Sequence, residues 1–215
     1  MLHFKNVKKY YSSFLALDIP DLTIGHGLWW LQGENGSGKT TFLKMIAGLH
    51  PFIGDLYVDD IYSIKKHRLP FIRSINYAEA EPLYPPFLTA KDLITLYCKT
   101  KKGSIDEAAE MLQQLHVFHA YEKQLGTYSS GMIKKLSLVL AFIGNPKFIL
   151  LDEPLITIDV LALEVICNII KDKFEHGISF IITSHQQVNR DQLMFTGFIK
   201  AADQRIMFLP DGHNI

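Results

Sequence analysis

Leu28-Trp29-Trp30-Leu31-Gln32-Gly33-Glu34-Asn35-Gly36-Ser37-Gly38-Lys39-Thr40-Thr41-Phe42-Leu43-Lys44-Met45-Ile46 is the stretch on which the fold turns. It opens as a short apolar run, Leu28–Leu31, crosses a Gly-rich loop and continues as a helical pattern over Thr41–Leu49. Gly33…Gly38-Lys39-Thr40 carries the spacing of a phosphate-binding loop, and a strand before it with a helix after is the context that motif requires. The residue types follow from the task. Gly33, Gly36 and Gly38 let the backbone N–H groups of Glu34, Asn35 and Ser37 turn inward around phosphate oxygens, and the helix starting near Lys39 adds its positive end. Lys39 reaches the β- and γ-phosphates and the Thr40 hydroxyl ligates Mg²⁺, with Thr41 beside it a further candidate for nucleotide binding. The expected ligand is ATP with Mg²⁺.

Two further apolar runs, Phe148–Leu151 and Ile178–Ile182, read as buried parallel strands like Leu28–Leu31. Ligands of an open α/β sheet bind beyond the carboxyl ends of its strands, so the residues following all three runs are expected to converge. Phe148–Leu151 runs into Asp152 and Glu153. Asp152 is the candidate for the Mg²⁺ shell and Glu153 for the base that polarises an attacking water. The plainer alternative is two solvated carboxylates in a turn. Ile178–Ile182 runs into Thr183-Ser184-His185. His185 is a candidate donor to the γ-phosphate, against the alternative of an ordinary core or surface histidine.

The segment up to about Asp60 alternates short β-like stretches with turns, as in Phe52–Val58. From Pro82 to Asn145 the pattern is helical, over Ala90–Tyr97, Asp106–Leu115 and Met132–Ile143, and a further helix is expected over Ala162–Phe174. Pro82-Leu83-Tyr84-Pro85-Pro86 reads as the joint between the two regimes. The expected fold is α/β: a P-loop NTPase core with a mostly parallel sheet, an N-terminal antiparallel β region and an inserted helical lobe. One domain over 1–215 is expected, with 1–81 and 146–215 forming the core and 82–145 the lobe.

Composition excludes several classes. The 215 residues carry 22 Lys plus Arg against 22 Asp plus Glu, so no net field selects nucleic acid or an anionic membrane. A hydrophobic share of 48% is that of a folded globular chain. Cys98 and Cys167 stand far apart without metal-ligand spacing, which suits a reducing compartment. Met1–Lys5 does not open a secretory leader, and no apolar run approaches the ~18 residues of a membrane span. His116 and His119 have no neighbours in sequence to complete a metal site.

With its three strand ends in this order, the chain resembles, over essentially its whole length, the ATP-binding-cassette (ABC) ATPases, the nucleotide-binding subunits of ABC transporters. Tyr128-Ser129-Ser130-Gly131-Met132 stands where that family carries its LSGGQ signature; Ser129 and Gly131 fit, while Tyr128, Ser130 and Met132 depart. The residues read as the start of a helix with Met132, Leu136, Val139 and Ile143 on one apolar face and Lys134 and Lys135 off it, stopped by Gly144-Asn145-Pro146. Ser129 is then a plain N-cap or, as the resemblance implies, part of an anion site that meets the γ-phosphate held by an opposite subunit.

The resemblance further implies that Asp159 is the D-loop aspartate and that Tyr11, five residues before Ala16, stacks on adenine, with Tyr10 as the alternative and packing in the β region as the plainer fate. The family's Tyr-x-x-Gln stretch aligns with Tyr77 and puts Ala80 at the metal-contacting Gln, where Glu79, Glu81 or water would have to serve. It implies a second ATPase subunit, a transmembrane permease as partner, no nucleic acid, and a place on the cytoplasmic face of the cell membrane, held there only through the permease. Two other readings stay open: an ATP-binding regulatory module with little hydrolysis, and a soluble P-loop kinase. Tyr84–Leu88 is either a rigidly packed linker or a docking surface for the membrane subunit.

Overall fold

The computed structural model describes residues 1–184 and 193–209. In chain order the elements are β1 (Leu2–Tyr11), β2 (Phe14–Ile24), β3 (Leu28–Gln32), α1 (Lys39–Ile46), β4 (Ile53–Val58), β5 (Tyr62–Ser63), α2 (Arg68–Arg73) and β6 (Ile75–Ala78). There follow α3 (Ala90–Lys101), α4 (Ile105–Gln114), α5 (Ser130–Phe142), β7 (Phe148–Leu151), α6 (Val160–Glu175), β8 (Ser179–Thr183), β9 (Gly197–Ala202) and β10 (Arg205–Leu209).

The strands form two sheets. One has the order β10-β9-β3-β8-β7-β6, parallel from β9 to β6 with β10 antiparallel at the edge. The other is antiparallel, in the order β2-β1-β4-β5. The expected α/β class, with its mostly parallel sheet, antiparallel region and helical lobe, is what the structure has. The three apolar runs lie side by side as β3, β8 and β7, so their carboxyl ends open on one edge.

Every residue of β7 and β8 is buried, because the parallel sheet is covered on both faces. Side chains alternate along each strand and so divide between two cores. Ile149, Leu151, Phe180 and Ile182 pack with α3–α6, whereas Phe148, Leu150 and Ile181 pack with α1 and the antiparallel sheet. Phe42 of α1 stacks on Phe4 of β1 at 5.2 Å, which fixes the phosphate-loop helix between the sheets. Along β1 the buried parity changes from Leu2 and Phe4 to Val7 and Lys9. A bulge at Asn6 explains it, since the β1–β4 register shifts there and Asn6 takes φ 50°.

Helix starts are written in the sequence by their caps. Thr89 with Asp92 forms a capping box for α3, and Ser104, Ser129 and Asp159 cap α4, α5 and α6. Helix α5 departs from expectation. It is buried almost all round from Leu136 to Phe142 rather than along one stripe, and Lys134 is buried with it. The reason is that α5 lies in the lobe's core and touches both the sheet edge and the other lobe helices.

Candidate nucleotide-binding site

Strand β3 delivers the chain into the loop 33–38. Gly33 takes φ 153°, and a Cβ there would lie 2.5 Å from the Ala201 carbonyl oxygen, so no other residue fits without displacing backbone. Gly38 takes φ 100° and caps α1 without any side-chain hydrogen bond, and no acidic residue occupies the helix's first turn. Where α3 to α6 satisfy their first N–H groups with a side chain, α1 leaves its own for something else. Ser37 donates its backbone N–H to the Glu34 carbonyl at 3.1 Å, while its buried Oγ has no hydrogen-bond partner among the described residues.

Lys39 is buried, and its ammonium folds back onto the Gly33 and Glu34 carbonyls at 2.7 and 3.0 Å. Burial holds its pKa below the ordinary lysine value, with the carboxylates of Glu153 and Asp152 pulling the other way. Glu34, Asn35, Gly36 and Thr40 are exposed, and Thr41 is partly so. A backbone concavity that excludes Cβ atoms, an orphaned hydroxyl, an uncapped helix and an amine held by replaceable carbonyls together fit a polyphosphate.

The ends of β7 and β8 meet in a second knot. Thr183 Oγ1 donates to Asp152 Oδ1 at 2.7 Å and accepts the Glu153 backbone N–H at 2.8 Å. The Tyr77 hydroxyl donates to Asp152 Oδ2 at 3.3 Å, and burial pushes that phenol's pKa well up, so it stays a donor. Asp152 and Glu153 are both buried, and Glu153 takes φ 47°, a strained conformation for a non-glycine residue. The reading as two solvated carboxylates does not hold. Thr183 and the Tyr77 hydroxyl were not singled out from the sequence as site residues. The parallel register of β7 against β8, which sets Leu151 beside Ile182, is what places Thr183 next to Asp152. His185 lies outside the described residues.

Tyr11 is half-exposed, and its hydroxyl reaches Thr41 Oγ1 at 3.2 Å and His50 Nδ1 at 3.1 Å. It is thus tied to the start of α1 rather than packed into the β region. Ser129 caps α5 by accepting from the Met132 N–H at 3.2 Å, and Tyr128 anchors the preceding turn through its hydroxyl to the Ala120 carbonyl. A Cβ on Gly131 would meet only the Thr157 carbonyl oxygen at 3.5 Å and Ser129 Oγ at 4.0 Å, ordinary contacts. Among the described residues nothing requires glycine there, and nothing of the phosphate loop comes that close. Asp159 caps α6 through the Ala162 N–H and pairs with Lys135 of α5 at 2.6 Å, a bond that holds its carboxyl below the usual range. The structure therefore gathers Lys39, Asp152 and Glu153 at one place, and Ser129, Gly131 and Asp159 at another.

The joint after β6 is held from the lobe. Glu79 pairs with Lys44 of α1 at 3.3 Å, Glu81 is exposed, and the backbone of Glu79 and Ala80 is bonded to Lys134. Beside it, Leu49, Ile72, Leu83, Tyr84, Leu96 and Tyr97 line an open groove of about 380 Å³. No helix among the described residues is long and apolar enough to cross a membrane.

The family model for ABC transporters matches residues 17–156. The chain is 33% identical over 196 residues to ATP-binding cassette sub-family A member 2 of Homo sapiens; this covers 86% of the chain but only 8% of that protein. It is 31% identical over 163 residues to the cytochrome c biogenesis ATP-binding export protein CcmA of Legionella pneumophila (strain Lens), with 75% of this chain and 80% of that protein covered. Among solved structures, a dimeric ATP-binding cassette in a post-hydrolysis state with ADP and phosphate bound superposes with a TM-score of 0.82 at 22% identity, covering 98% of this chain and 99% of that one.

Proposed function

The chain belongs to the ABC transporter family, whose ATPase domains bind ATP, and from that premise we propose that it is the ATP-hydrolysing subunit of a transporter that drives a separate membrane permease. The observation that carries the reading is the meeting of Lys39 with two buried carboxylates, Asp152 and Glu153, at the open end of the parallel sheet. In this reading Lys39 leaves its carbonyls for the β- and γ-phosphates, while the loop's N–H groups and the start of α1 orient the chain of phosphates. Thr40 and Asp152 would hold Mg²⁺, with Thr183 and Tyr77 fixing the Asp152 carboxylate. When bound, the ion would neutralise phosphate charge. Glu153 takes the proton from a water as its oxygen bonds to the γ-phosphorus and the bond to the β-phosphate oxygen breaks, which releases ADP with that electron pair. Tyr11 presents a half-exposed ring for the base.

Ser129 and Gly131, away from the phosphate loop, are assigned to a nucleotide held by a second ATPase subunit. The solved dimeric cassette of the same fold supports this pairing. The apolar groove beside Tyr84 is assigned to the permease, and through it the subunit sits on the cytoplasmic face of the membrane. Ala80 and the altered signature favour a second reading, an ATP-dependent regulatory module that closes without turning over. A phosphate-release assay on the purified protein separates the two: sustained Mg²⁺-dependent release supports the ATPase, and tight MgATP binding without release supports the module.

A further inference from the structure

We propose that Lys134 is a positioning residue for the nucleotide site: its ammonium ties the signature end of α5 to the carboxylate end of β7, so that the two move as one. The proposal rests on the ATP site assigned above. Lys134 lies five residues after the Ser129 cap, and its side chain is 2% exposed, an unusual fate for a lysine. Its Nζ donates to the carbonyls of Glu79 and Ala80, each at 2.9 Å, and of Asp152 at 3.1 Å. Three N–H groups meet three acceptors, so the ammonium's donor capacity is filled. All three direct acceptors are carbonyls, with the carboxylates of Asp152, Glu153 and Glu81 acting on the ammonium from further off. A buried cation balanced chiefly by carbonyl dipoles is costly, and an apolar side chain of the same length would pack there without that cost.

The position of its acceptors gives the charge a task. Two carbonyls belong to the joint that leaves β6, and the third belongs to the residue whose carboxylate is held from the other side by Thr183 and Tyr77. Ala80 ends in a methyl group, so the contact at that position runs through its backbone. The far end of α5 is pinned separately: Asn76 of β6 donates to the Ala141 and Ile143 carbonyls, both at 2.8 Å. With its C-terminus fixed to the sheet, α5 can change its Ser129 end only by a tilt, and a tilt of the first turns strains the Lys134 bonds. Lys135, the next residue, reaches Asp159, so the same two residues of α5 hold both the β7 end and the start of α6.

A control exists in the same molecule. Lys101 makes a comparable clamp, to the Ile72 and Ile75 carbonyls at 2.6 and 2.7 Å, but at the far end of β6. The test compares the native protein with Lys134→Met, Lys134→Arg and Lys101→Met in three measurements: MgATP affinity by calorimetry, steady-state phosphate release, and amide hydrogen exchange with and without MgATP. Lys134→Met is expected to keep MgATP affinity within about threefold and to lose about tenfold in kcat, the scale of a displaced but intact site. In the native protein MgATP should alter exchange both in the phosphate loop and at the start of α5; in Lys134→Met only the first change should persist. Lys134→Arg should fall between, and Lys101→Met should lower Tm yet keep kcat and both exchange changes. Native kcat with a native response of α5 in Lys134→Met overturns the proposal, as does a kcat loss that follows Tm equally in the Lys134 and Lys101 variants. If Lys134→Met does not fold, Lys134→Arg decides by the same criteria, because its planar fork cannot converge on three carbonyls. A native protein that fails to bind MgATP at all sinks the ATP site instead.

Discussion

The two halves of the candidate site are built differently. At the core end, each residue is fixed by atoms of its own chain: Gly33 by the Ala201 carbonyl, Asp152 by Thr183 and Tyr77, Lys39 by two loop carbonyls. At the lobe end, Ser129 is exposed, and no contact among the described residues demands the glycine at Gly131. A half-site whose residue types are explained from within is complete in one chain. At the lobe end Ser129 is explained as a helix cap but Gly131 has no such reason, which is why we assign that end to a second subunit. The comparison also accounts for where the sequence departs from the family's pattern. Tyr128 replaces an aliphatic residue and does a structural task through the Ala120 carbonyl, so that change leaves the facing N–H groups of α5 untouched.

The sharpest way to break this comparison is to remove chemistry at the core end alone. Glu153→Gln keeps shape and burial but cannot accept a proton, so turnover should fall by about a hundredfold or more, the range for a positioned base. ATP should stay bound, and an ATP-dependent dimer should accumulate on a sizing column, because the lobe end is intact. Near-native phosphate release in that variant would reassign the base. Lys39→Ala comes next. Loss of charge-assisted bonds to the phosphates is worth about 1.5–3 kcal/mol each, or roughly 10–100-fold in MgATP affinity. Calorimetry giving native affinity would sink the phosphate-loop assignment.

Thr183→Val tests the knot that holds the carboxylates. The shapes match, but the Glu153 N–H and Asp152 Oδ1 each lose a partner in a buried place. Stability should drop by about 1–3 kcal/mol, and turnover by about tenfold as Asp152 loosens. Thermal unfolding and phosphate release read the two effects separately. If turnover stays native while Tm falls, Thr183 supports the fold and not the site.

Thr183 also marks what the sequence could and could not disclose. The strand–loop–helix of 28–49 and the three apolar runs set the fold class, because continuous burial makes β7 and β8 apolar apart from Ser179 and Thr183. Lys39, Asp152 and Glu153 were legible because fixed spacing and strand ends announce them. Thr183 and Tyr77 were not, since their roles depend on which strand lies beside which, and only the register supplies that. Lys134 misled in the other direction. Helical periodicity puts a lysine off the apolar face, and the rule fails when a helix is buried all round and its lysine has three carbonyls to meet.

The smallest expected effect lies at the joint between the two halves, and it bears on how far the core end depends on the lobe. Ala80 aligns with a metal-contacting glutamine, and either a flanking carboxylate or water must take that place. We assign that place to water. Glu79 is engaged with Lys44 at 3.3 Å, Glu81 is exposed, and side chains next to one another in an extended segment point to opposite sides. Mg²⁺ fills vacant octahedral positions with water, and a water-mediated contact is nearly as good as a direct one. Ala80→Gln should therefore raise phosphate release only about two- to threefold, mainly at low Mg²⁺, since it exchanges one adequate ligand for another. The Lys134 bond survives the change, because it is made to the Ala80 carbonyl rather than to its side chain. Glu79→Ala and Glu81→Ala should match the native protein in a Mg²⁺ titration of phosphate release. A large loss of Mg²⁺ dependence in either would make that carboxylate the ligand, and the core end would then owe part of its metal site to the joint that the lobe controls.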